Sequence, residues 1–142
     1  MKRTSIRAAV ALVTGSSLML MAPVQPAQGQ VGLERRIVHR QDIAVPGYEV
    51  LLVEVTLAVG GREGKHSHPG ELIGRIFEGE LTLEQEGLPT RVLRPGESVV
   101  VDAGRVHEGI NNGKVPVKAF ATFVVPKGKP LTTQLGETAP TP

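Results

Sequence analysis

From Tyr48 to Val59 the chain alternates in a way only an extended strand can use. Val50, Leu52, Glu54, Thr56 and Ala58 fall on one face, and Leu51, Val53, Val55, Leu57 and Val59 on the other. The second set is wholly apolar and is expected to face a core. Turn signals then divide the remaining chain: Gly60-Gly61-Arg62-Glu63-Gly64, Gly87-Leu88-Pro89, Arg94-Pro95-Gly96-Glu97 and Asn111-Asn112-Gly113-Lys114. Between them lie the apolar-rich runs Leu72 to Phe77, Leu81 to Glu86, Thr90 to Leu93, Ser98 to Val101 and Val115 to Val125. No window after residue 30 sustains a period of about 3.6 residues. With 17 Gly and 11 Pro spread along 142 residues, the pattern excludes a helical bundle. It predicts about eight to ten short strands in a single all-β sandwich or barrel.

The N-terminal segment follows a different logic. Lys2, Arg3 and Arg7 precede an apolar stretch from Ala8 to Ala22, and Ala27-Gln28-Gly29 places small residues before a cut ahead of Gln30. That order predicts a secretory signal peptide over residues 1–29 and an exported protein, periplasmic or secreted, with no membrane segment in its mature form. The apolar stretch is shorter than the ~20 residues a spanning helix needs. Without the leader's three cations the chain carries 13 Lys and Arg against 14 Asp and Glu. A basic nucleic-acid surface is therefore not expected, and one Tyr, three Phe and no Trp leave little to stack on bases. The absence of Cys excludes thiolate metal sites, disulfides and Cys nucleophiles. The expected organisation is a leader over 1–29, a β-barrel domain over 30–130 and a flexible tail over 131–142.

The chemistry concentrates at His66-Ser67-His68. Residues i and i+2 of a strand project from one face roughly 6.6 Å apart, so both imidazoles can lean onto one metal at ~2.0–2.1 Å. Ser67 points to the opposite face and makes a poor partner for a Ser–His dyad. His39 is expected at the surface, Glu78 and Glu80 in solvent, and Arg75 on the outside of the barrel or at a dimer contact. No phosphate-binding or dinucleotide motif is present.

Gly60, His66, His68 and Gly79 stand at the spacing of the first motif of the cupin superfamily. Gly96, Gly104, His107 and Asn111 stand at that of its second. The chain resembles the small single-domain cupins over roughly residues 36 to 130. The resemblance implies a small antiparallel jelly-roll barrel with His66, His68 and His107 brought together at its mouth, and commonly a homodimer. Apolar residues on both faces of the last long strand, Val117, Ala119, Ala121 and Phe123 against Phe120 and Val124, favour the same association. Two positions depart from the family pattern: Leu72 replaces the metal-binding Glu, and Asp102 replaces a turn Pro. The expected site is one divalent first-row metal ion (Fe, Mn, Ni, Cu or Zn) on His66, His68 and His107. Its fourth position falls either to Glu71, if Gly70 lets the backbone turn it inward, or to water. The functions this admits are a mononuclear metalloenzyme, an oxidoreductase of dioxygenase type or a lyase on a small organic molecule; a non-catalytic metal or small-molecule binder; and a barrel that binds nothing.

Overall fold

The computed structural model describes residues 30–135. The leader expected over 1–29 and residues 136–142 of the expected tail lie outside the described residues. Ten strands make one antiparallel sheet that curls into a nearly closed barrel: β1 (Val31–Asp42), β2 (Tyr48–Arg62), β3 (His66–Ser67), β4 (Glu71–Glu78), β5 (Leu81–Gln85), β6 (Arg91–Leu93), β7 (Ser98–Val101), β8 (His107–Ile110), β9 (Val117–Pro126) and β10 (Thr133–Gln134). No helix occurs among the described residues.

The strands pair in the order β10-β3-β8-β2-β9-β4-β7, with β1 on β2, and β5 between β6 and β8. The non-sequential order is what a jelly roll requires, because successive strands cross between two facing layers. Parity in β2 places Leu51, Val53 and Leu57 in the core, as the alternation predicts. Val59 departs from it: the chain bends at Gly60, whose φ is 73°, and Val59 turns out to solvent. Leu72 and Ile76 of β4, Val99 and Val101 of β7, and Val117, Ala121, Phe123 and Val125 of β9 complete the same core.

Two segments depart from the sequence expectation. β1 spans 12 residues where no strand was expected. It pairs with β2 from Leu33↔Leu57 to Asp42↔Glu49 as an edge strand with most side chains in solvent, so its sequence lacks the alternation of a half-buried strand. Residues 131–134, assigned to a flexible tail, are built into the sheet. Thr133 and Gln134 pair with Ser67 and His66, and Leu131 packs against the core.

Candidate metal centre

The pairing that closes the barrel also assembles the histidines. His66 on β3 lies directly opposite His107 on β8, and His68 follows two residues after His66 at the same end. The backbone N–H of Gly104 donates to the His68 carbonyl at 2.9 Å, tying the two halves of the site together. The ring centroids are 4.8 Å (His66–His68), 4.2 Å (His66–His107) and 5.0 Å (His68–His107) apart. Their ligand atoms all lie within 4.8 Å of one another.

Each ring is oriented by a backbone carbonyl. Nδ1–H of His66 donates to Gly64 O at 2.7 Å, that of His68 to Leu131 O at 2.7 Å, and that of His107 to Arg105 O at 3.0 Å. A carbonyl only accepts, so Nδ1 carries the proton in all three rings and Nε2 keeps its lone pair. This is the support that metal-binding histidines ordinarily receive: one nitrogen fixes the tautomer and ring plane, the other is presented to the metal. Phe123 closes over His68 edge-on, with centroids 4.8 Å apart. The three histidines are 1%, 3% and 4% exposed. Burial disfavours the imidazolium form and lowers the pKa of all three. His68 falls to about 3, chiefly through burial and further through the neighbouring rings and Arg35. At neutral pH the cluster is therefore neutral and ready to ligate, and its chemistry fits a divalent first-row ion.

The structure does not bring Glu71 to this cluster. Leu72, Gly74 and Ile76 face the core, and Glu71 stands exposed on the outer side of β4. Gly70 provides no inward turn; its φ is not positive. It is needed for space, since a Cβ there would lie 2.0 Å from the Val124 carbonyl oxygen on β9. Leu72, at the family's carboxylate position, is packed in the core.

A different carboxylate and a guanidinium flank the histidines. Glu63 follows the end of β2, lines the barrel interior with His107, and accepts a hydrogen bond from Gly109 N at 3.2 Å. A Cβ on Gly109 would stand 2.6 Å from Glu63 Oε2, so that glycine makes the seat for the carboxylate. Arg35, on the inward side of β1, lies 4.0 Å from Glu63 and donates to Thr132 Oγ1 at 3.2 Å. Glu63 sits in the run taken for a turn, and Arg35 in the strand that lacked alternation, so no motif marked either. The interior beneath is a small apolar cavity of about 60 Å³ bounded by Leu57, Leu72, Ile76, Leu83 and Val117 among others.

The remaining assignments follow their expected faces. His39 is exposed beside Gln41, Glu78 pairs with Lys118 and Glu80 with Arg94 at the surface, and Arg75 projects outward from β4. Asp102, where the family has Pro, holds Arg105 across the turn that leads to His107. Asn111 is wholly buried and structural. Its Nδ2 donates to the carbonyls of Leu57, Ala58 and Val115, and its Oδ1 accepts from Gly113 N.

Comparison with known proteins agrees with this geometry. The cupin domain family matches residues 53–130, more than half of the chain, and the chain belongs to that family. A germin-like protein of Arabidopsis thaliana, subfamily 1 member 20, is 32% identical over 88 residues, which cover 54% of this chain and 40% of the relative. The chain thus spans less than half the length of the curated relatives it matches. Among solved structures, a cupin-like protein of Thermotoga maritima superposes with a TM-score of 0.62 at 19% identity, covering 82% of this chain and 86% of that one. An oxalate oxidase in complex with glycolate gives 0.58 at 26% identity, covering 72% and 55%. The DMSP lyase of Ruegeria pomeroyi gives 0.55 at 26%, covering 60% and 42%.

Proposed function

We propose that the protein is a mononuclear metalloenzyme acting on a small organic molecule, as an oxidoreductase of dioxygenase type or as a lyase. The observation that carries this reading is the convergence of three buried, neutral imidazoles, each with Nδ1 fixed to a carbonyl and Nε2 left to ligate. The bound ion would supply Lewis acidity and open coordination positions for a chelating substrate. The chain's own contribution is to hold the ligands rigidly and to place His107 against the apolar interior bounded by Leu57, Leu72 and Ile76. Similarity to an oxalate oxidase supports the oxidoreductase class in general, and similarity to a DMSP lyase supports the lyase class. The test has two stages: metal content of the purified protein, then oxygen uptake and eliminated product over a panel of small acids, diketones and catechols. Protein purified without metal, and unable to take up Fe, Mn, Ni, Cu or Zn, would overturn the reading.

A second reading, a non-catalytic binder of metal or a small molecule, is favoured by the replacement of the family's carboxylate by Leu72. Full metal occupancy with no turnover across the panel would select it.

Two further properties belong to the proposal. The leader pattern of residues 1–29 supports export, testable by the N-terminal mass of protein from the envelope fraction. A homodimer is supported by the apolar outer face of β4, β7 and β9, where Ile73, Phe77 and Val100 are each more than half exposed and Phe77 packs edge-on with Phe120. Light scattering that gives a monomer mass at every micromolar concentration would refute it.

A further inference from the structure

A divalent ion on His66, His68 and His107 would bring two positive charges into a buried site whose three ligands contribute none. The family's carboxylate, which would offset one of them, is Leu72 here. Glu63 and Glu108 offer negative charge nearby, but Arg35 and Arg62 offset them. The occupied site would therefore remain strongly cationic at a place shielded from water, where unbalanced charge is costly.

Arg35 is a cation tied to the segments around the cluster. One of its anchors, Thr132, adjoins Leu131, whose carbonyl holds His68. Its other neighbour, Glu63, lies three residues before His66 and takes the N–H of Gly109, two residues after His107. The guanidinium thus bridges the segments that carry all three histidines, and its charge is felt by each of them. It is also under-used. A guanidinium has five N–H donors, yet among the described residues Arg35 makes one hydrogen bond, to Thr132, and one ion pair too long to be a hydrogen bond. Its side chain is 22% exposed, so solvent reaches only part of it.

We propose that Arg35 is the substrate-anchoring residue of this site and that the substrate is a small organic carboxylate, bound to the guanidinium through its carboxylate while another part reaches the metal. The proposal rests on the metal-centre reading above. Glu63 opposes the incoming anion: it competes for Arg35 and repels the second carboxylate. The two residues therefore have opposite effects on the same ligand, a signature that structural damage would not produce.

The experiment uses the full chain loaded with Co(II), whose visible bands report ligand exchange, with glycolate as the carboxylate probe and imidazole as a neutral metal ligand. Cobalt content is measured for every protein. Arg35→Gln is expected to weaken glycolate binding by about 10- to 100-fold, the value of a charged hydrogen-bonded contact, with Arg35→Lys in between. Glu63→Gln is expected to tighten it severalfold. Imidazole affinity should be unchanged in all variants. Equal glycolate affinity in wild type, Arg35→Gln and Arg35→Lys, with cobalt retained, overturns the assignment of Arg35 and leaves the metal centre standing. Parallel losses in the Arg35 and Glu63 variants overturn it too, because they mark a structural role. Failure of the wild-type protein to hold cobalt removes the metal centre and this inference with it.

Discussion

The metal-free protein should lose stability in mild acid through its histidine cluster, and His68 sets the scale. Its pKa is about 3 in the folded state, against about 6.5 for a histidine in an unfolded chain. The group prefers to be neutral when folded, so above pH 6.5 it adds no pH dependence. As the pH falls below that value the unfolded chain takes up a proton that the folded protein refuses, and stability declines until about pH 3, where both states are protonated. Between pH 7 and 5 the loss from His68 alone is about 2 kcal/mol, and over the full range about 5 kcal/mol. His66 and His107 are displaced in the same direction by burial and add to it. In a domain of this size 2 kcal/mol is roughly 10 °C in Tm. The assay is urea unfolding at pH 7 and pH 5 in the presence of chelator, for the wild type and His68→Gln. The wild type should lose about 2 kcal/mol more than the variant over that interval. Equal losses, or a wild type that gains stability on acidification, would refute the reasoning. Excess zinc should raise wild-type stability by a nearly constant amount between pH 7 and 5, because the ion binds folded rings that are already neutral, and the pH of acid unfolding should fall as a result.

Metal binding itself should depend on the histidines and not on Glu71. The double variant His66→Ala, His107→Ala should lose stoichiometric metal by elemental analysis, and Glu71→Gln should leave affinity within about twofold, as for a surface substitution; metal retained in the first, or lost in the second, reverses the assignment. Asn111→Ala removes the donor that holds Leu57, Ala58 and Val115 and the acceptor for Gly113 N. It should destabilise the protein by about 2–4 kcal/mol in chemical denaturation, since it leaves buried backbone groups unpaired, and a loss under about 1 kcal/mol would show that water or neighbouring groups replace the amide.

The parts of the fold that were legible in the sequence are those whose two faces differ. β2, β4 and β9 each put one side chain in two against the core, and the resulting alternation marks both the strand and its buried face. The histidine cluster was legible for a related reason. His66 and His68 share a face by local geometry, and His107 recurs at a motif spacing tied to its own turn. Glu71 alternates with Leu72, Gly74 and Ile76, and strand parity puts it away from the core. The inward turn, one of the two alternatives for the fourth position, does not occur: Gly70 is there for its lack of a Cβ, which lets β9 approach, and not for an unusual φ.

What escaped the sequence has no such local signature. β1 is an edge strand whose solvent-facing residues, among them Arg36, His39 and Arg40, are as polar as a loop, and only Leu33 and Arg35 turn partly inward. The strand after Leu131 is two residues long and has meaning only through its partner β3. Yet these two segments support the site. Leu131 is 63 residues from the His68 ring it orients, and Thr132 is 97 residues from the guanidinium it anchors. Ligands to one metal can be recognised by spacing, because a strand or turn fixes their relative positions. The groups that orient those ligands and select what binds beside them are held only by closure of the barrel. They carry no required spacing, and Arg35 and Glu63 can be identified only after the strands that carry them are paired. If charge at the site is balanced by the bound anion in place of a carboxylate at position 72, Arg35 and Glu63 act on that anion as a pair. Removing both charges at once, Arg35→Gln with Glu63→Gln, should then weaken glycolate binding less than Arg35→Gln alone while cobalt is retained, whereas parallel losses in all three variants would mark a structural role.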